Sequence, residues 1–251
     1  MSVIAVWFSC GAASAIAAKE TLRRYGDTHT VQIINNPVAE EHDDNRRFLR
    51  DVADWLGVGI EKAYNEKYPS ASAEDVWEHR QYISGIAGAP CTIELKKEAR
   101  RQWEERNEVH YHVLGFTADE QKRFEQFQAN EWREVLPVLI EAGYTKQACY
   151  DELREAGISP PYVYELGLPN ANCLGCVKAT SPTYWNHIRK HFPEVFERRA
   201  AQSRRIGARL VRHKGERIFL DELPEDAKGK PLKSMDIECG LFCRQESDDD
   251  G

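Results

Sequence analysis

The chain of 251 residues carries 34 lysines and arginines against 41 aspartates and glutamates, a formal net charge of −7, and 41% of its residues are hydrophobic. That length suffices for one sizeable core, or one core with a small appendage. The acidic balance excludes a chain-wide basic footprint for nucleic acid. Apolar runs are too short for a membrane span, and no secretory signal pattern opens the sequence, so a cytoplasmic protein is expected.

Strands and helices are predicted to alternate over most of the first 180 residues. Predicted strands lie at 3–8, 30–35, 60–64 and 109–116, and predicted helices begin at residue 15 and lie at 43–56, 74–83, 93–105, 119–128 and 146–156. This alternation is typical of an α/β fold, a mostly parallel doubly wound sheet, here of five or six strands with helices on both faces. Such folds bind ligands at the carboxyl ends of their strands.

The pattern changes after residue 180. Residues 184–205 predict one long helix that Pro193 can break, and residues 209–220 predict a small hairpin around Lys214 and Gly215. Residues 222–237 have the composition of a mobile linker, and the acidic end of the chain that of a disordered tail. We expect a nucleotide-binding domain at 1–180, followed at 181–251 by a helical extension with a hairpin and a cysteine-bearing tail.

The segment after the first predicted strand has the composition of a phosphate-binding loop. Small side chains let the backbone approach a phosphate, and the following helix presents its positive N-terminal end. An ordinary tight turn has the same composition. The candidate binding residues are Ser9, Gly11, Ala12, Ala13 and Ser14.

Seven cysteines indicate metal or thiol chemistry, because a chain without a secretory signal is not expected to hold a disulfide framework. Cys173 and Cys176 have the spacing of metal ligands, of a zinc knuckle or of a redox dithiol. Cys239 and Cys243 lie near the end of the chain. There Cys239 suits either a movable nucleophile or a further ligand, and Cys243 a ligand.

Two further segments carry charged residues that are candidates for contacting an anionic ligand. Cys91 opens a predicted helix, where the helix dipole stabilises a thiolate, and Lys96 and Lys97 follow one turn later, placed to neutralise phosphate or sulfate. Gly115 ends a predicted strand, and the charged helix start after it includes Arg123. A ligand-facing loop and a solvated helix start both fit this second segment.

Together these motifs resemble the phosphoadenosine phosphosulfate (PAPS) reductase family, including small phage-type relatives. The resemblance spans nearly the whole chain. The matching pieces are the loop at 9–14, Pro90-Cys91, Gly115-Phe116-Thr117 with Glu120 and Arg123, residues 136–139, the run Gly157-Ile158 with Pro160, Tyr162 and Tyr164, the pair Cys173 and Cys176, and Glu238-Cys239-Gly240-Leu241.

The resemblance implies an adenine nucleotide alpha hydrolase-like fold. It implies an adenine nucleotide (ATP, APS or PAPS) on the loop at 9–14, with the adenine near Asn35, and a thioredoxin-type reductant. In the family, the cysteine of the tail motif attacks the sulfonyl sulfur; here this is Cys239, with Lys96, Lys97 and Arg123 balancing the anionic charge. A 4Fe-4S cluster would be held by Cys91, Cys173 and Cys176, with Cys239 or Cys243 as the fourth ligand.

The chain also departs from the family pattern. Cys10 and Ala13 replace a glycine and an aspartate of the ATP-cleaving loop, a single Cys91 stands where two adjacent cysteines are usual, and Phe242-Cys243 follows the tail motif. Two other functions therefore stay open. One is an ATP-dependent sulfurtransferase acting on a nucleobase in RNA or DNA, and the other is a nucleotide-binding module with structural zinc. Monomer and homodimer also both stay open.

Overall fold

The computed structural model describes residues 1–85 and 88–235, and the chain forms two compact units. The first comprises Met1–Pro37, Asp43–Ala63 and Arg101–Tyr164, and the second comprises Val38–His42, Tyr64–Arg100 and Glu165–Gly251. Residue 180, the predicted domain boundary, lies inside the second unit. Division of the chain into domains at that residue stays a prediction.

The regular elements are bounded as follows. The strands are β1 (Val3–Trp7), β2 (Thr30–Asn35), β3 (Ile60–Lys62), β4 (Tyr111–Val113), β5 (Val135–Leu136), β6 (Val211–His213) and β7 (Glu216–Ile218). The α-helices are α1 (Ala12–Tyr25), α2 (Asp44–Leu56), α3 (Ala73–Arg80), α4 (Pro90–Thr92), α5 (Ala99–Arg106), α6 (Gln121–Gln128), α7 (Val138–Glu141), α8 (Lys146–Glu155), α9 (Pro182–His191) and α10 (Pro193–Ile206). A π-helical segment, Ile93–Glu98, joins α4 to α5.

The first unit is built on a parallel sheet of five strands in the order β3-β2-β1-β4-β5. β1 pairs with β2 from Val3 opposite Thr30 to Trp7 opposite Ile34, and it pairs with β4 on its other side. The prediction of an α/β fold with a parallel sheet is confirmed, with five strands. The strand order reverses between β1 and β4, and in open α/β sheets ligands bind outside the carboxyl ends of the strands at such a switch point.

Side chains of β1 and of the segment after it alternate between the two faces of the sheet. Phe8 lies in the hydrophobic core, where its ring packs on Phe48 of α2 at a centroid distance of 6.0 Å. Trp7 meets Trp103 of α5, edge to face at 5.5 Å. The adjacent side chains of Trp7 and Phe8 point to opposite faces of the sheet. Because Phe8 contacts α2 and Trp7 contacts α5, helices cover both faces, which is consistent with a doubly wound fold.

In the second unit, the helix predicted at 184–205 is two helices, α9 and α10. They meet at Phe192, which has an extended φ of −141° and directly precedes Pro193. Proline cannot donate the hydrogen bond that would continue α9, and its ring clashes with the preceding turn. The predicted hairpin is also confirmed, with β6 antiparallel to β7 around Lys214 and Gly215.

The prediction of a mobile linker at 222–237 is wrong for its described part, residues 222–235. Leu223 and Ala227 are buried. Asn186 of α9 donates from Nδ2 to the carbonyl oxygens of Pro224 and Ala227, at 2.9 and 3.0 Å. The segment is held through its backbone carbonyl groups, which accept from a side chain of α9, and local composition does not encode such a contact.

Some predicted boundaries also shift. The helix predicted at 93–105 begins as the π-helical segment, and the strand predicted at 109–116 is limited to Tyr111–Val113.

Among residues 1–85 and 88–235, no helix is both long and apolar enough to cross a bilayer.

Candidate nucleotide loop and cysteine group

In the first unit, the loops that follow β1 and β4 meet at the switch point of the sheet. A Cβ atom at Gly115, just after β4, would lie 2.9 Å from the backbone nitrogen of Ser14 and 3.0 Å from the carbonyl carbon of Ala13. Real Cβ atoms essentially never approach backbone atoms this closely, so a side chain at 115 would force one of the two segments to shift. The start of α1 is thereby held against the end of β4.

The hydroxyl of Ser14 organises the loop at 9–14. Its Oγ accepts from the backbone N–H of Ser9 at 3.2 Å and from that of Gly11 at 3.3 Å, and it donates to the carbonyl oxygen of Gly11 at 2.9 Å. The Ser9 hydroxyl also donates to it. Ser14 is buried and Ser9 exposed, so Ser14 shapes the loop and Ser9 faces outward.

Cys10 lies inside this loop with a left-handed backbone, at φ +57°. A non-glycine residue in this region carries strain, which the surroundings must hold in place. Asn35, at the end of β2, does so: its Nδ2 donates to the carbonyl oxygen of Phe8 at 2.8 Å and contacts Cys10 Sγ at 3.6 Å. Asn35 is buried and supports the loop through this amide; its predicted role beside the adenine stays a prediction.

Tyr164 lies over the loop from the segment that follows α8. Its hydroxyl is 3.4 Å from where a Cβ atom of Gly11 would stand, and its ring packs edge to face on Tyr150 of α8 at 5.5 Å. Tyr164 belongs to the family-like run at 157–164 but is not among the predicted site residues. The spacing of that motif was the available signal.

Arg123, predicted to balance anionic charge, lies in α6 of the same unit. It forms an ion pair with Glu120, and its guanidinium lies 5.3 Å from the ring centre of Phe116. The Glu120 carboxylate also accepts from the backbone N–H of Thr117 at 3.1 Å, which caps the start of this helical segment. Arg123 is therefore tied to the end of the loop after β4.

The second unit holds Cys91 and Lys96. Cys91 is half-buried in the first turn of α4, directly after Pro90, as the sequence predicted. Lys96 lies in the π-helical segment, a rare geometry that recurs at functional sites. Its Nζ is 3.3 Å from the carboxylate of Glu41, and both side chains are largely buried.

The loop carrying Cys173 and Cys176 packs on α9 and α10. The Cys176 backbone N–H donates to the hydroxyl of Tyr184 at 2.8 Å. Gly175 has a left-handed φ of +66°, and a Cβ atom there would lie 3.1 Å from Val195 Cγ1. Burial raises the pKa of the Tyr184 hydroxyl well above its usual range, and the nearby sulfurs of Cys176 and Cys173 raise it further.

The three predicted cysteine ligands thus belong to one unit. Within residues 1–85 and 88–235, however, no three His, Cys, Asp or Glu side chains form a group placed to hold a metal ion. Cys239 and Cys243, the predicted fourth ligands, lie outside the described residues. Thiols are donors that zinc and iron–sulfur clusters use, but the described side chains are not placed as a metal site.

Comparison with protein-family models gives no match, and comparison with curated proteins gives no significant match.

The structure thus sorts the predicted site residues into two sets. Ser9, Gly11, Ala12, Ala13, Ser14, Asn35 and Arg123 belong to the first unit, and Cys91, Lys96, Cys173 and Cys176 belong to the second. Sequence reasoning missed Gly115 as a packing requirement and did not predict the burial of Arg199. Arg199 lies in a run of basic residues, a pattern that ordinarily marks a solvated helix face.

Proposed function

We propose that this chain is a PAPS-reductase-like enzyme of the adenine nucleotide alpha hydrolase-like superfamily, which binds an adenylyl sulfonucleotide and reduces it by thiol chemistry. The observation that carries the proposal is the close approach of Gly115 to the backbone of Ser14. It joins the loops after β1 and β4 at the switch point, where ligands of parallel α/β sheets bind.

The loop at 9–14 would receive the phosphate. The first backbone N–H groups of a helix have no partner within it, and the helix dipole favours an anion there. α1 is a helix of 14 residues with Gly11 as its N-cap and no acidic side chain in its first turn. Arg123 of α6, which is tied to the loop after β4 through Glu120, would add a positive charge.

Cys239 would act as the nucleophile. Its thiolate sulfur attacks the sulfonyl sulfur of the nucleotide, a sulfur–sulfur bond forms, and the bond from that sulfonyl sulfur to the phosphate oxygen breaks, so that the nucleotide leaves with the bonding electrons. A thioredoxin-type dithiol then attacks the Cys239 sulfur, sulfite leaves, and the dithiol ends as a disulfide.

Cys91, Cys173 and Cys176 would hold a 4Fe-4S cluster together with Cys239 or Cys243, and the cluster would supply a local charge and redox centre. Zinc is the other metal that this donor set suits. Lys96, already paired with Glu41, would add positive charge in the same unit.

The test is sulfite release from APS or PAPS by the anaerobically purified full chain with a dithiol reductant, in parallel with the Cys239→Ser variant. We expect sulfite from the wild type and none from the variant, with nucleotide affinity and iron content unchanged. Loss of iron in the variant would instead make Cys239 a ligand. Release of pyrophosphate from ATP, without sulfite from either sulfonucleotide, would contradict the proposal and favour a sulfurtransferase.

A further inference from the structure

Three hydroxyl groups converge on Gly11 in the loop at 9–14. The point where a Cβ atom of Gly11 would stand lies 3.4 Å from the Tyr164 hydroxyl oxygen, 3.7 Å from Ser9 Oγ and 4.0 Å from Ser14 Oγ. A few convergent polar groups are typical of ligand sites, and hydroxyl donors form strong hydrogen bonds to anionic oxygens. Ser9 and Ser14 belong to the loop itself, whereas Tyr164 comes from a distant part of the chain and must be brought there.

The segment that leads to Tyr164 has no regular structure of its own. Residues 156–161 follow α8 and belong to no helix or strand, and Tyr162–Tyr164 form a single 3-10 turn. Pro160 and Pro161 have no backbone N–H to donate. This stretch must therefore be held through its carbonyl oxygens and through the N–H groups beside the two prolines.

Two side chains of α2 hold the backbone on both sides of the prolines. Arg47 Nη2 donates to the carbonyl oxygens of Ser159 and Pro160, at 3.0 and 3.1 Å. Asp44 Oδ2 accepts from the backbone N–H of Tyr162 at 2.7 Å. These contacts fix the path of the chain into the 3-10 turn.

Arg47 is itself held in one orientation. Its Nε donates to Asp44 Oδ1 at 2.7 Å and its Nη2 to Asp44 Oδ2 at 2.8 Å, and its Nη1 donates to Asp51 Oδ2 at 2.5 Å. The side chains of Arg47 and Asp44 are 31% and 21% exposed. A bidentate pair of this kind has a defined geometry, which an exposed single contact lacks.

The turn then directs Tyr164 towards the loop. The backbone N–H of Tyr164 donates to the carbonyl oxygen of Pro161 at 3.0 Å, and its ring packs on Tyr150 of α8. Gly11, beside which its hydroxyl lies, is the N-cap of α1. The hydroxyl therefore lies next to the backbone N–H groups that would receive a phosphate.

We propose that Tyr164 binds the anionic group of the nucleotide through its hydroxyl, and that Asp44 and Arg47 are positioning residues that hold it at the loop at 9–14. This inference rests on the proposed function and adds a ligand-binding residue to its site. The phenol donates a hydrogen bond to an anionic oxygen. Asp44 and Arg47 act through the backbone at 159–162 and do not touch the ligand.

The experiment measures binding of AMP and of adenosine to the full chain by calorimetric titration. The forms are wild type, Tyr164→Phe, Arg47→Gln, the double variant of these two, and Arg46→Gln. Arg46 is the matched control: it is the next residue of α2 and pairs with Asp43 at 3.5 Å, but the two side chains are 72% and 88% exposed. Thermal unfolding of each form checks the fold.

We expect Tyr164→Phe to lower the affinity for AMP about tenfold or more, the effect of losing a hydrogen bond to a charged group. Affinity for adenosine, which has no phosphate, should stay unchanged. Arg47→Gln should weaken AMP binding and Arg46→Gln should not. The double variant should lie within about twofold of Tyr164→Phe, because residues that act through one contact are not additive.

The two parts of the inference can fail separately from the proposed function. Wild-type affinity of Tyr164→Phe for AMP, or equal losses for AMP and adenosine, would overturn the binding role. Arg47→Gln that binds AMP as Arg46→Gln does, or losses that multiply in the double variant, would overturn the positioning role. If Arg47→Gln fails to fold, Arg47→Lys replaces it in the same cycle, because lysine keeps the charge but not the bidentate contact. Wild-type protein that binds neither compound would overturn the nucleotide site of the proposed function, and this inference with it.

Discussion

The backbone of Ser14 stands so close to Gly115 that a Cβ atom on residue 115 would lie 2.9 Å from the Ser14 nitrogen. The contact joins the beginning of α1 to the segment after β4. Any side chain at 115 must push these two segments apart, so the geometry of the loop depends on a residue outside it.

Gly115→Ala should therefore weaken nucleotide binding. Overpacking of this kind costs about 1–3 kcal/mol, and a loss of about 1.4 kcal/mol in binding lowers affinity tenfold. We expect at least that loss for AMP, APS or PAPS in calorimetric titrations. Gly59→Ala is the control, because a Cβ atom there meets no atom within 4 Å and the residue has no positive φ. Equal affinity of the two variants would place the nucleotide elsewhere.

Gly11→Leu should abolish binding of adenine nucleotides and leave the fold intact. The backbone of Gly11 is extended, at φ −106° and ψ 159°, so a side chain introduces no strain. A single Cβ atom would meet the Tyr164 hydroxyl at an acceptable 3.4 Å, whereas a longer side chain would crowd the loop. Gly11→Ala should thus keep most of the affinity. Thermal unfolding of both variants, measured beside binding, separates loss of the site from loss of the fold.

Cys173→Ser should remove most of the iron from the reconstituted protein, because a hydroxyl is a poor ligand where a thiolate is needed. Cys149→Ser is the matched control: Cys149 is fully buried in the core of the first unit and is assigned no metal. Iron and acid-labile sulfide per chain are the measurements. The ligand assignment would be wrong if both variants kept the wild-type iron content.

Cys149 should also make stability depend on pH in the alkaline range. Burial raises the pKa of its thiol from 9.0 to about 12. Between these values the unfolded chain loses the proton while the folded protein keeps it, so stability is full below pH 9 and falls as pH rises toward 12. The fall approaches about 1.4 kcal/mol per pH unit.

Urea unfolding of the wild type and of Cys149→Ala at several pH values from 8 to 11 measures the contribution of Cys149 to the pH dependence of stability. The alanine variant should be less stable throughout, because it leaves a small cavity, but its free energy of unfolding should fall less steeply above pH 9. Parallel curves would show that Cys149 does not contribute to the slope.

Asn186→Ala should release the segment at 222–235. The substitution removes the hydrogen bonds to the carbonyl oxygens of Pro224 and Ala227 and the one that Asn186 Oδ1 accepts from Arg189, each contributing about 1 kcal/mol. Amide hydrogen exchange should accelerate in this segment. Asn130→Ala, which removes one exposed bond to Gln126, should leave exchange in that segment unchanged. Unaltered exchange in Asn186→Ala would mean that the segment is held by other contacts.

The sequence by itself determined the local elements of this protein. The apolar run at 3–8 predicted a buried strand, the periodicity at 43–56 predicted a helix, and Pro193 predicted the break between α9 and α10. Each depends on backbone preferences and on hydrophobic spacing within a few residues, which a local pattern records directly.

Tertiary structure alone decided which distant groups meet. The approach of Gly115 to Ser14 depends on the strand order, and the support of Cys10 by Asn35 depends on the pairing of β1 with β2. The burial of Arg199 and the anchoring of residues 222–235 depend on which polar atoms α9, α10 and α3 present to their neighbours. A guanidinium in a basic run has the same local pattern whether water or the protein interior surrounds it, because burial is a property of long-range packing and not of the neighbouring sequence.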